Sequence, residues 1–598
     1  MKHPLIQSVS KQRSHTPTLS PQLGLPFVMV AAVSAALSGC SIPYAEALSN
    51  KFNTCESDAD CPAGSHCAAI GDQNSCVASS VDLTGLVIEV RPAPGNGQMS
   101  LSSILIEPGS ISGDSGSQIV NLDLKVPEYI NISPGRVYLP CAGTTAVPAR
   151  VHLKPVPHLF GLLDGQSYEA ASSEDAQGNE AFAVSVPPGI YDVYVEPQPD
   201  LGVFPDCTKT PPIFLPKQTL SKDAGFSVQS AAPLTLNGTI KLSQKEDFTK
   251  WYLEVVEPLS GQIISESIQP KQEGLDFEVP FSIAFDWTAT NKAFIPVVRL
   301  RPPANSSKPF ILWSLDVLAF QGLDVPVKLD VSGIATQPRE VGGNVFHDGL
   351  PVTATVTLQS TSLSGEELTL YETVIQTDDN GHFQSFLPPG TYQVVARPDR
   401  QDLAVGATVW EVAEGTDCFC GGSVNVPFAT TLAGTVVTAN DDSANVEVRL
   451  TPSVTGGSGF LSKATAVEVK PRPATTQTQA GVFQVAVDSG KFDLALVPPS
   501  DSGYPWLVRP RLLVSEIADD LAAPPVVSLG TLALQNPVIV KGRVVDAKGS
   551  ALAGATVRAW TPVGGDETAQ SVTSAVQIGE AVADVNGEYF LLLPPSVK

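Results

Sequence analysis

The sequence predicts an all-β protein of several domains, and both composition and patterning point to this fold class. The 598 residues are enough for several domains of ordinary size. Proline (51 residues) and glycine (48 residues) are both frequent, which interrupts helices and supplies turns. Hydrophobic residues make up 43% of the chain, enough to form packed cores. Apolar and polar residues alternate in short segments bounded by Gly, Asn and Asp, which indicates strands and hairpins.

The chain is strongly acidic, with a formal net charge of −25 at pH 7. Residues 1–39 carry Lys2, Lys11 and Arg13 and no acidic residue, so their removal would leave a charge of −28. A field of this sign repels nucleic acid and anionic lipid headgroups. We therefore expect no nucleic-acid partner, and an acidic exterior is typical of a soluble protein.

The first predicted elements are a signal peptide at residues 1–39 and a lipid anchor. Residues 25–37 form an apolar run of 13 residues, too short to span a bilayer, which needs about 20 helical residues. The run ends in Leu37-Ser38-Gly39-Cys40, which resembles a bacterial lipobox. The resemblance implies cleavage before Cys40 and lipidation of its thiol. An ordinary signal followed by a chance cysteine is the alternative.

The expected location also follows from the lipobox resemblance. In Gram-negative lipoproteins a residue other than Asp after the cysteine, here Ser41, implies sorting to the outer membrane. No other apolar run is long enough to span a bilayer. We therefore expect an outer-membrane lipoprotein that faces the periplasm or the cell surface, with residues 40–54 as a tether.

A cysteine-rich module is predicted at residues 55–77. Setting Cys40 aside leaves eight of the nine cysteines, an even number in an oxidising compartment. The intervening residues are polar, small or turn-forming, so disulfides would have to hold the segment together. A zinc site using His66 is the alternative, but the short Cys-x2–4-Cys pairs of zinc modules are missing. The four candidate cysteines of this module are Cys55, Cys61, Cys67 and Cys76.

The string from Cys55 to Cys67 resembles the small cysteine-rich modules of myxobacterial-type surface lipoproteins and, more loosely, the N-terminal region of Dickkopf proteins. Further along, Cys141 and Cys207 fall in one predicted domain and are candidates to pair with each other. Cys418 and Cys420 form Cys-Phe-Cys, which is open to a strained direct bond, a redox-active pair or two loop thiols.

A turn motif repeats along the rest of the chain. Pro-Pro-Gly-x-Tyr stands at residues 187–191 and again at 388–392, each time leading into an alternating strand. Weaker copies are expected at Pro498-Pro499 and Pro594-Pro595, and a degenerate one with Phe294 in the tyrosine position. A second marker is a glycine in the apolar strand that opens each unit. These glycines are Gly85, Gly238, Gly343, Gly434 and Gly542. The two markers predict five units.

The last unit shows the strand pattern most clearly, with alternation at residues 540–546 and 554–560 and a hairpin turn before 588–593. This pattern resembles the carboxypeptidase regulatory-like domain, and the third unit matches it throughout, including residues 349–356 and 377–383. The resemblance implies transthyretin-like (prealbumin-like) sandwiches of about seven strands that serve as spacers or binding modules.

The spacing of the two markers gives the domain boundaries. The first unit is the longest, which predicts an insertion, and no strand follows the turn of the fifth, which predicts an incomplete sandwich with an open edge. The predicted domains are β-sandwich 1 at 81–229, a divergent β-sandwich 2 at 230–325, β-sandwich 3 at 326–425, β-sandwich 4 at 426–534 and β-sandwich 5 at 535–598.

No catalytic, cofactor or metal site is expected. The sequence contains no His-Glu-x-x-His, no Gly-x-Ser-x-Gly and no phosphate loop. Acidic turns at 378–381, 488–490 and 584–587 could hold Ca²⁺ weakly, but tight turns need the same residue types. Exposed aromatic side chains could stack on sugars, or they could fill cores. The aromatic residues considered are Trp251, Tyr252, Trp313, Trp410, Tyr504, Trp506 and Trp560.

The sequence therefore predicts a non-enzymatic, lipid-anchored protein with a structural, adhesive or protein-binding role. Its expected partners are the membrane, through the lipid, and a surface protein or polysaccharide. A carbohydrate-binding surface lipoprotein is the alternative, and an enzyme of unrecognised class ranks third.

Overall fold

Strands account for the regular structure of the computed structural model, apart from 3-10 turns at Asp58–Asp60 and Pro140–Ala142 in the described part. The all-β prediction is confirmed. The described residues belong to one compact unit, Ile42–Lys598. No helix among them is long and apolar enough to cross a membrane. The structure describes residues 55–61, 65–70, 73–78, 86–93, 102–105, 119–156, 167–175, 178–220, 226–241, 248–257, 261–270, 278–286, 296–304, 306, 308–314, 327–332, 338–363, 368–413, 422–453, 469–515, 523–563 and 574–595.

The cysteine-rich module is a small hairpin of β1 (Ser65–Ile70) and β2 (Gln73–Ala78). A disulfide joins Cys55 to Cys67, and Cys61 is disulfide-bonded as well. The carboxylate of Asp58 accepts a hydrogen bond from the backbone N–H of Cys67 at 2.7 Å. Covalent bonds and turn contacts thus hold a segment that has few apolar side chains to bury.

Four short strands follow the module: β3 (Val87–Arg91), β4 (Ser102–Leu105), β5 (Ile119–Asn121) and β6 (Leu124–Lys125). They do not form a sandwich of their own, and their partners are given below with the fifth sandwich.

The first sandwich consists of the sheets β10-β11-β7-β14 and β13-β12-β8-β9. Its core includes Val151, Leu153, Phe182 and Val193, which alternate with outward-facing residues along their strands. A disulfide between Cys141 and Cys207 closes one side of it. The strands are β7 (Ile130–Tyr138), β8 (Ala149–Pro155), β9 (Tyr168–Ala171), β10 (Ser173–Glu174), β11 (Glu180–Val186), β12 (Gly189–Pro197), β13 (Ile213–Leu220) and β14 (Ser227–Gln229).

The second sandwich has the sheet β17-β15-β20 facing a sheet that begins β16-β18-β19. Its core includes Trp251, Leu253, Phe281 and Leu300. The strands are β15 (Leu234–Lys241), β16 (Tyr252–Val256), β17 (Glu278–Phe285), β18 (Val297–Arg301), β19 (Phe310–Ser314) and β20 (Val327–Asp330).

One strand that lies between strands of the third sandwich in sequence, β24, joins a sheet of the second sandwich, where it pairs with β19. The sheets of the third sandwich are β22-β21-β26, with β29 parallel to β21, and β25-β23-β27-β28. The strands are β21 (Arg339–His347), β22 (Leu350–Pro351), β23 (Ala354–Leu363), β24 (Leu368–Leu370), β25 (Glu372–Gln376), β26 (His382–Leu387), β27 (Gly390–Pro398), β28 (Gly406–Val412) and β29 (Ser423–Asn425).

The fourth sandwich consists of the sheets β33-β30-β36 and β32-β31-β34-β35. Its core includes Phe483, Phe492 and Leu494. The strands are β30 (Thr430–Val437), β31 (Glu447–Pro452), β32 (Ala474–Gln477), β33 (Val482–Val487), β34 (Gly490–Val497), β35 (Leu507–Val514) and β36 (Val526–Ala533).

The fifth sandwich is built from two distant parts of the chain. Its own strands are β37 (Val538–Val545), β38 (Thr556–Val563), β39 (Ser574–Val582) and β40 (Glu588–Leu593). The strands β3 and β4 extend one sheet to β39-β38-β3-β4. In the facing sheet β37 pairs with β40 on one side. On its other side β37 pairs in parallel with β5 and β6.

This pairing differs from the predicted boundaries. The sequence placed residues 86–125 in β-sandwich 1 (81–229) and left β-sandwich 5 incomplete. In the structure β3 takes the place that β27 has in the third sandwich, beside the long central strand. The supposed insertion is therefore the missing part of the fifth sandwich. Alternation shows which side chains of a strand are buried, but not which sheet the strand joins.

The predicted copy of the turn motif at Pro498-Pro499 is also wrong. In the fourth sandwich the turn before the closing strand is Asp488-Ser489-Gly490, between β33 and β34, whereas Pro498-Pro499 follows β34. Gly390 and Gly490 hold the same place in the two turns, with φ of 152° and 141°, a backbone conformation that favours glycine. The predicted copy with Phe294 lies outside the described residues.

Candidate functional site

The most distinctive feature of the molecule is where β3–β6 meet β37–β40, which we call the closing seam. In its first sheet β3 lies between β38 and β4, with Ile88 opposite Ala559 and Val90 opposite Val557. In the facing sheet the partner strand is β37, which pairs with β5 and β6 in parallel. The seam therefore contributes strands to both layers of the fifth sandwich.

Apolar burial is the main stabilising contribution to the seam. Fully burying one such side chain contributes about 1.5–3 kcal/mol, so seven contribute on the order of 10–20 kcal/mol as an upper bound. That is comparable to the whole stability of a typical domain, about 5–15 kcal/mol. The fifth sandwich should therefore not fold without β3–β6. The seven side chains, each at most 4% exposed, are Leu86, Val87, Ile88, Val90, Val120, Leu124 and Val126.

A buried carboxylate crosses the seam. Glu89, which is 3% exposed, accepts a hydrogen bond of 3.1 Å from the indole N–H of Trp560. It also accepts bonds of 2.9 and 2.8 Å from the guanidinium of Arg91. Burying a charge is costly unless it is paired and hydrogen-bonded. Because the Trp560 bond exists only when the seam is closed, it helps to select this strand pairing.

The second layer of the seam is held by hydrogen bonds between side chains and the backbone. The hydroxyl of Tyr589 donates to the carbonyl of Leu122 at 2.7 Å, and Asp123 accepts a bond of 2.9 Å from the N–H of Arg543. A Cβ at Gly542 would lie 2.0 Å from the Leu122 carbonyl oxygen, so this position requires glycine. The strand β37 is therefore shaped to receive the segment that carries Leu122.

The seam makes the order of domains circular. After β6 the chain enters the first sandwich through residues 126–129, and the later connections at 230–233, 426–429 and 534–537 also have four residues each. The path thus passes through sandwiches one to four and returns to the sandwich from which it started. The linear string of domains suggested by the repeats becomes a closed circuit.

The junction between the third and fourth sandwiches is fixed by one arginine. Arg472 donates to Asp488 at 2.7 Å and to the carbonyl of Pro398 at 2.8 Å, and it also bonds Leu403. Asp488 in turn accepts the N–H of Val405. The cleft beside this group has a volume of about 450 Å³. Since the arginine is fully engaged inside the protein, it serves the junction and is not available to a ligand.

A second buried ion group lies inside the second sandwich. The carboxylate of Glu254, fully buried, accepts from Arg299 at 2.7 Å, Arg301 at 2.8 Å and Ser267 at 2.8 Å. Burial by itself raises the pKa of Glu254, but the two guanidinium groups and Ser267 outweigh it and hold the pKa below its usual value. The group is fully satisfied, which is the signature of a structural network.

Where the first and second sandwiches meet, one acid is poorly satisfied. Asp286 is 2% exposed, and neither carboxylate oxygen has a well-formed hydrogen bond among the described residues. Burial raises the pKa of Asp286 to about 7, against a smaller lowering by the backbone N–H of Phe214. Phe214 comes from the first sandwich and packs in the core of the second. The pKa of Asp286 therefore depends on how the first and second sandwiches pack against each other.

The predicted chemical sites are mostly structural where the structure describes them. His347 bonds the carbonyl of Val426 at 2.8 Å, and His152 lies 3.9 Å from Glu169. No group of three or more His, Cys, Asp or Glu residues that could hold a metal ion occurs among the described residues. The carboxylate of Asp378 accepts N–H groups of its own turn, as expected for turn chemistry. Outside the described part lie Cys40, Cys418, Cys420 and the side chains of His66 and Cys76.

The aromatic residues do not form a sugar-stacking platform in the described part of the chain. Trp251, Trp410 and Trp560 are buried, and the other candidates are half-buried. Arg449 stacks over the ring of Trp506 at 5.5 Å. Among the described residues, Phe386 is the aromatic side chain that is mainly exposed, at 54%. Most of the aromatic rings therefore serve the cores and junctions.

Comparison with known proteins finds no protein-family model and no curated protein that matches this chain. Among solved structures, a streptococcal ancillary pilin is 12% identical, with a TM-score of 0.19, over 50% of this chain and 99% of the pilin. The pilus adhesin SpaC from Lactobacillus rhamnosus GG is 10% identical, with a TM-score of 0.15, over 65% of this chain and 57% of the adhesin. The major pilin RrgB from Streptococcus pneumoniae is 9% identical, with a TM-score of 0.12, over 67% of this chain and 100% of the pilin. Similarities of this size assign no function to the chain.

Proposed function

We propose that this protein is a lipid-anchored surface protein of the outer membrane, in which a closed circuit of β-sandwiches has a structural, adhesive or protein-binding role. The observation that carries the proposal is the closing seam. It uses strands, buried apolar side chains and a buried carboxylate to join distant parts of the chain, and none of these groups is arranged for chemistry.

The seam suits a protein that is held by its N-terminal segment. The proposed lipid site Cys40, the tether at 40–54 and the cysteine-rich module all precede β3 directly in the sequence. A pull on the tether reaches β3, which has an antiparallel neighbour on each side. Because both ladders and the apolar core would have to give way together, the load is shared by the whole fifth sandwich.

Protein binding or adhesion ranks above carbohydrate binding. Sugar recognition usually needs exposed aromatic faces, and the described part of the chain offers mainly Phe386. The buried carboxylates of Glu89, Glu254 and Asp488 lie in the closing seam, an ion group and a domain junction. An enzyme is not part of the proposal. A polysaccharide ligand remains the second candidate on the sequence evidence alone.

Two measurements test the proposal. The Cys40→Ala variant should leave the membrane fraction and become soluble, and persistence of the variant in membranes would refute the anchor. Photo-cross-linking from Phe386 on intact cells should capture a protein partner. A glycan array with the same chain is the counter-test, since selective binding to one polysaccharide would replace the protein-binding role with the second candidate.

A further inference from the structure

We propose that the closing seam can also form between two copies of this chain, with β3–β6 of one copy completing the fifth sandwich of another. The partner is then a second copy of the same protein, and the seam becomes a site of self-assembly.

Complementarity across the seam does not depend on the two halves belonging to one chain. Each of its contacts joins the segment around residues 86–126 to the segment around 538–595, for example Glu89 to Trp560 and Tyr589 to Leu122. These partners are 471 and 467 residues apart in sequence. A second copy presents the same surface, so every hydrogen bond and buried side chain would be reproduced.

The order of synthesis gives the exchange its opportunity. The strands β3–β6 are made first, and β37 begins only at Val538. Until then Ile88, Val90 and Leu124, which are fully buried in the finished fold, lack their partners. The fifth sandwich of a neighbouring copy is open in the same period, because its own β3–β6 must also be placed.

The local concentration of the protein decides whether the seam closes within one chain or between two copies. Closure within one chain acts as an effective concentration, which is set by the length and stiffness of the connection between the two halves, here the four sandwiches between β6 and β37. Exchange therefore competes only where copies are dense, as they would be on a membrane. The net charge of −25 opposes the approach of two copies, so salt should favour the exchange.

The exchange leaves the other junctions intact. The fifth sandwich keeps its contact with the fourth, where Arg511 donates to the carbonyl of Val563 at 3.1 Å. The first sandwich of the donor copy comes to lie beside the fifth sandwich of the acceptor, linked through residues 126–129. Each copy gives one set of strands and accepts one, so the contact is head-to-tail and can close into rings or extend into chains.

Cysteine pairing across the seam distinguishes the two forms. Arg91 and Thr556 are direct register partners and both are half-buried. Two single variants, Arg91→Cys and Thr556→Cys, are made in the full chain that follows the signal segment. The two variants are mixed in equal amounts and unfolded with their native disulfides intact. They are then refolded together and oxidised. A bond between positions 91 and 556 can then form only between two copies.

The expected result is a disulfide-linked dimer whose linked peptides contain residues 91 and 556. We expect about tenfold more of it than for Arg91→Cys mixed with Val409→Cys, a control at an exposed position, because only the seam raises the local concentration. Its yield should rise with protein concentration and with salt. Adding Val90→Asp to the Arg91→Cys chain should abolish it.

The opposite results would overturn the proposal. One is a yield of mixed dimer no greater than that of the control at every concentration, while the double variant Arg91→Cys/Thr556→Cys closes within a monomer. The other is a dimer that survives Val90→Asp, since such a dimer would not depend on burying β3.

Discussion

At the scale of single residues, one cross-strand pair recurs in all five sandwiches. A glycine in the opening strand lies opposite an aromatic ring of its neighbour, and in the first sandwich a Cβ on that glycine would be 2.3 Å from the ring. In the first four sandwiches the glycine therefore makes room for the ring, whereas the atoms nearest to Gly542 belong to the Leu122 backbone. The pairs are Gly135–Phe182, Gly238–Phe281, Gly343–Phe383, Gly434–Phe483 and Gly542–Tyr589.

These pairs give a better marker of the repeat than the prolines alone. Phe182, Phe383 and Tyr589 each stand five residues before the first proline of a turn, and Phe483 stands five before Asp488. The same spacing from Phe281 leads to Asp286. The aromatic residue five positions earlier marks Asp488 as the start of the fourth turn. The pairing of Phe182 with Gly135 makes Gly135 the opening glycine of the first sandwich.

The buried acid at this turn position makes the stability of the second sandwich depend on pH. Burial raises the pKa of Asp286 to about 7 in the folded protein, above its ordinary value of 3.8. Its contribution to stability is therefore fully present below pH 3.8 and is lost as the pH rises through about 7. We expect Asp286→Asn to raise the free energy of unfolding at pH 8 by a few kcal/mol.

Urea unfolding at pH 5 and pH 8 checks this prediction. The gain from Asp286→Asn should be clearly smaller at pH 5, where the acid is largely protonated in the folded state. Asp378→Asn is a suitable control, because neighbouring N–H groups lower the pKa of that exposed carboxyl. An equal gain at both pH values would contradict the assignment.

The tyrosine of the turn motif has a structural role that can be measured. In the third sandwich the hydroxyl of Tyr392 donates to the carbonyl of Pro388 at 2.6 Å, and in the first Tyr191 does the same to Pro187 at 2.7 Å. Tyr392→Phe should lower the free energy of unfolding by about 1–2 kcal/mol, because a buried carbonyl loses its donor. Denaturant titration gives the value.

Tyr371→Phe is the matched control for this change. The Tyr371 hydroxyl makes a longer bond of 3.2 Å, to the carbonyl of Phe386, in a partly buried site. Its removal should cost clearly less than that of the Tyr392 hydroxyl. Equal losses for the two variants would mean that the turn bond has no special importance.

At the scale of elements, the fate of β3 shows what a strand pattern can and cannot predict. The residues around it are apolar, so the sequence indicates a buried strand near residue 87. Nothing local specifies that its neighbour on one side is β38, more than 460 residues away. The pairing of β24 with β19 of the second sandwich could not be predicted for the same reason. Strand pairing is decided by contacts between segments that are distant in sequence.

A charge placed on β3 should unfold one sandwich selectively. Val90 is fully buried in the core of the fifth sandwich. Val90→Asp should open the closing seam, since an unpaired buried carboxylate costs several kcal/mol. Limited proteolysis should then cut within residues 535–598 and leave the first four sandwiches intact.

Val409→Asp provides the control, because Val409 is 66% exposed on a strand of the third sandwich. It should be as resistant to protease as the parent chain. If Val90→Asp were equally resistant, the fifth sandwich would not depend on β3.

At the scale of the whole molecule, the acidic surface and the closed circuit act against each other. A charge of −25 favours expanded states through self-repulsion, while the seam holds distant segments together. Raising the salt from low to physiological ionic strength, where the Debye length falls to about 8 Å, should therefore raise the Tm. Differential scanning calorimetry at constant pH checks this.

Exposed ion pairs have the opposite effect on the Tm, because salt weakens their attraction. Pairs such as Arg400–Asp402 weaken as salt increases, but exposed pairs contribute little, about 0–1 kcal/mol. We therefore expect the repulsion to dominate. A Tm that falls with salt would show that ion pairs contribute more to this fold than its net charge costs.

The sequence by itself determined the all-β class, the positions of most turns and the existence of repeated sandwiches. These follow from period-two alternation and from residues that favour turns, and both are local properties. The tertiary structure alone decided where β3–β6 belong, how the fifth sandwich is completed and that the domains form a circuit. The physical reason is that alternation selects the buried face of a strand, whereas the choice of partner depends on packing between segments hundreds of residues apart.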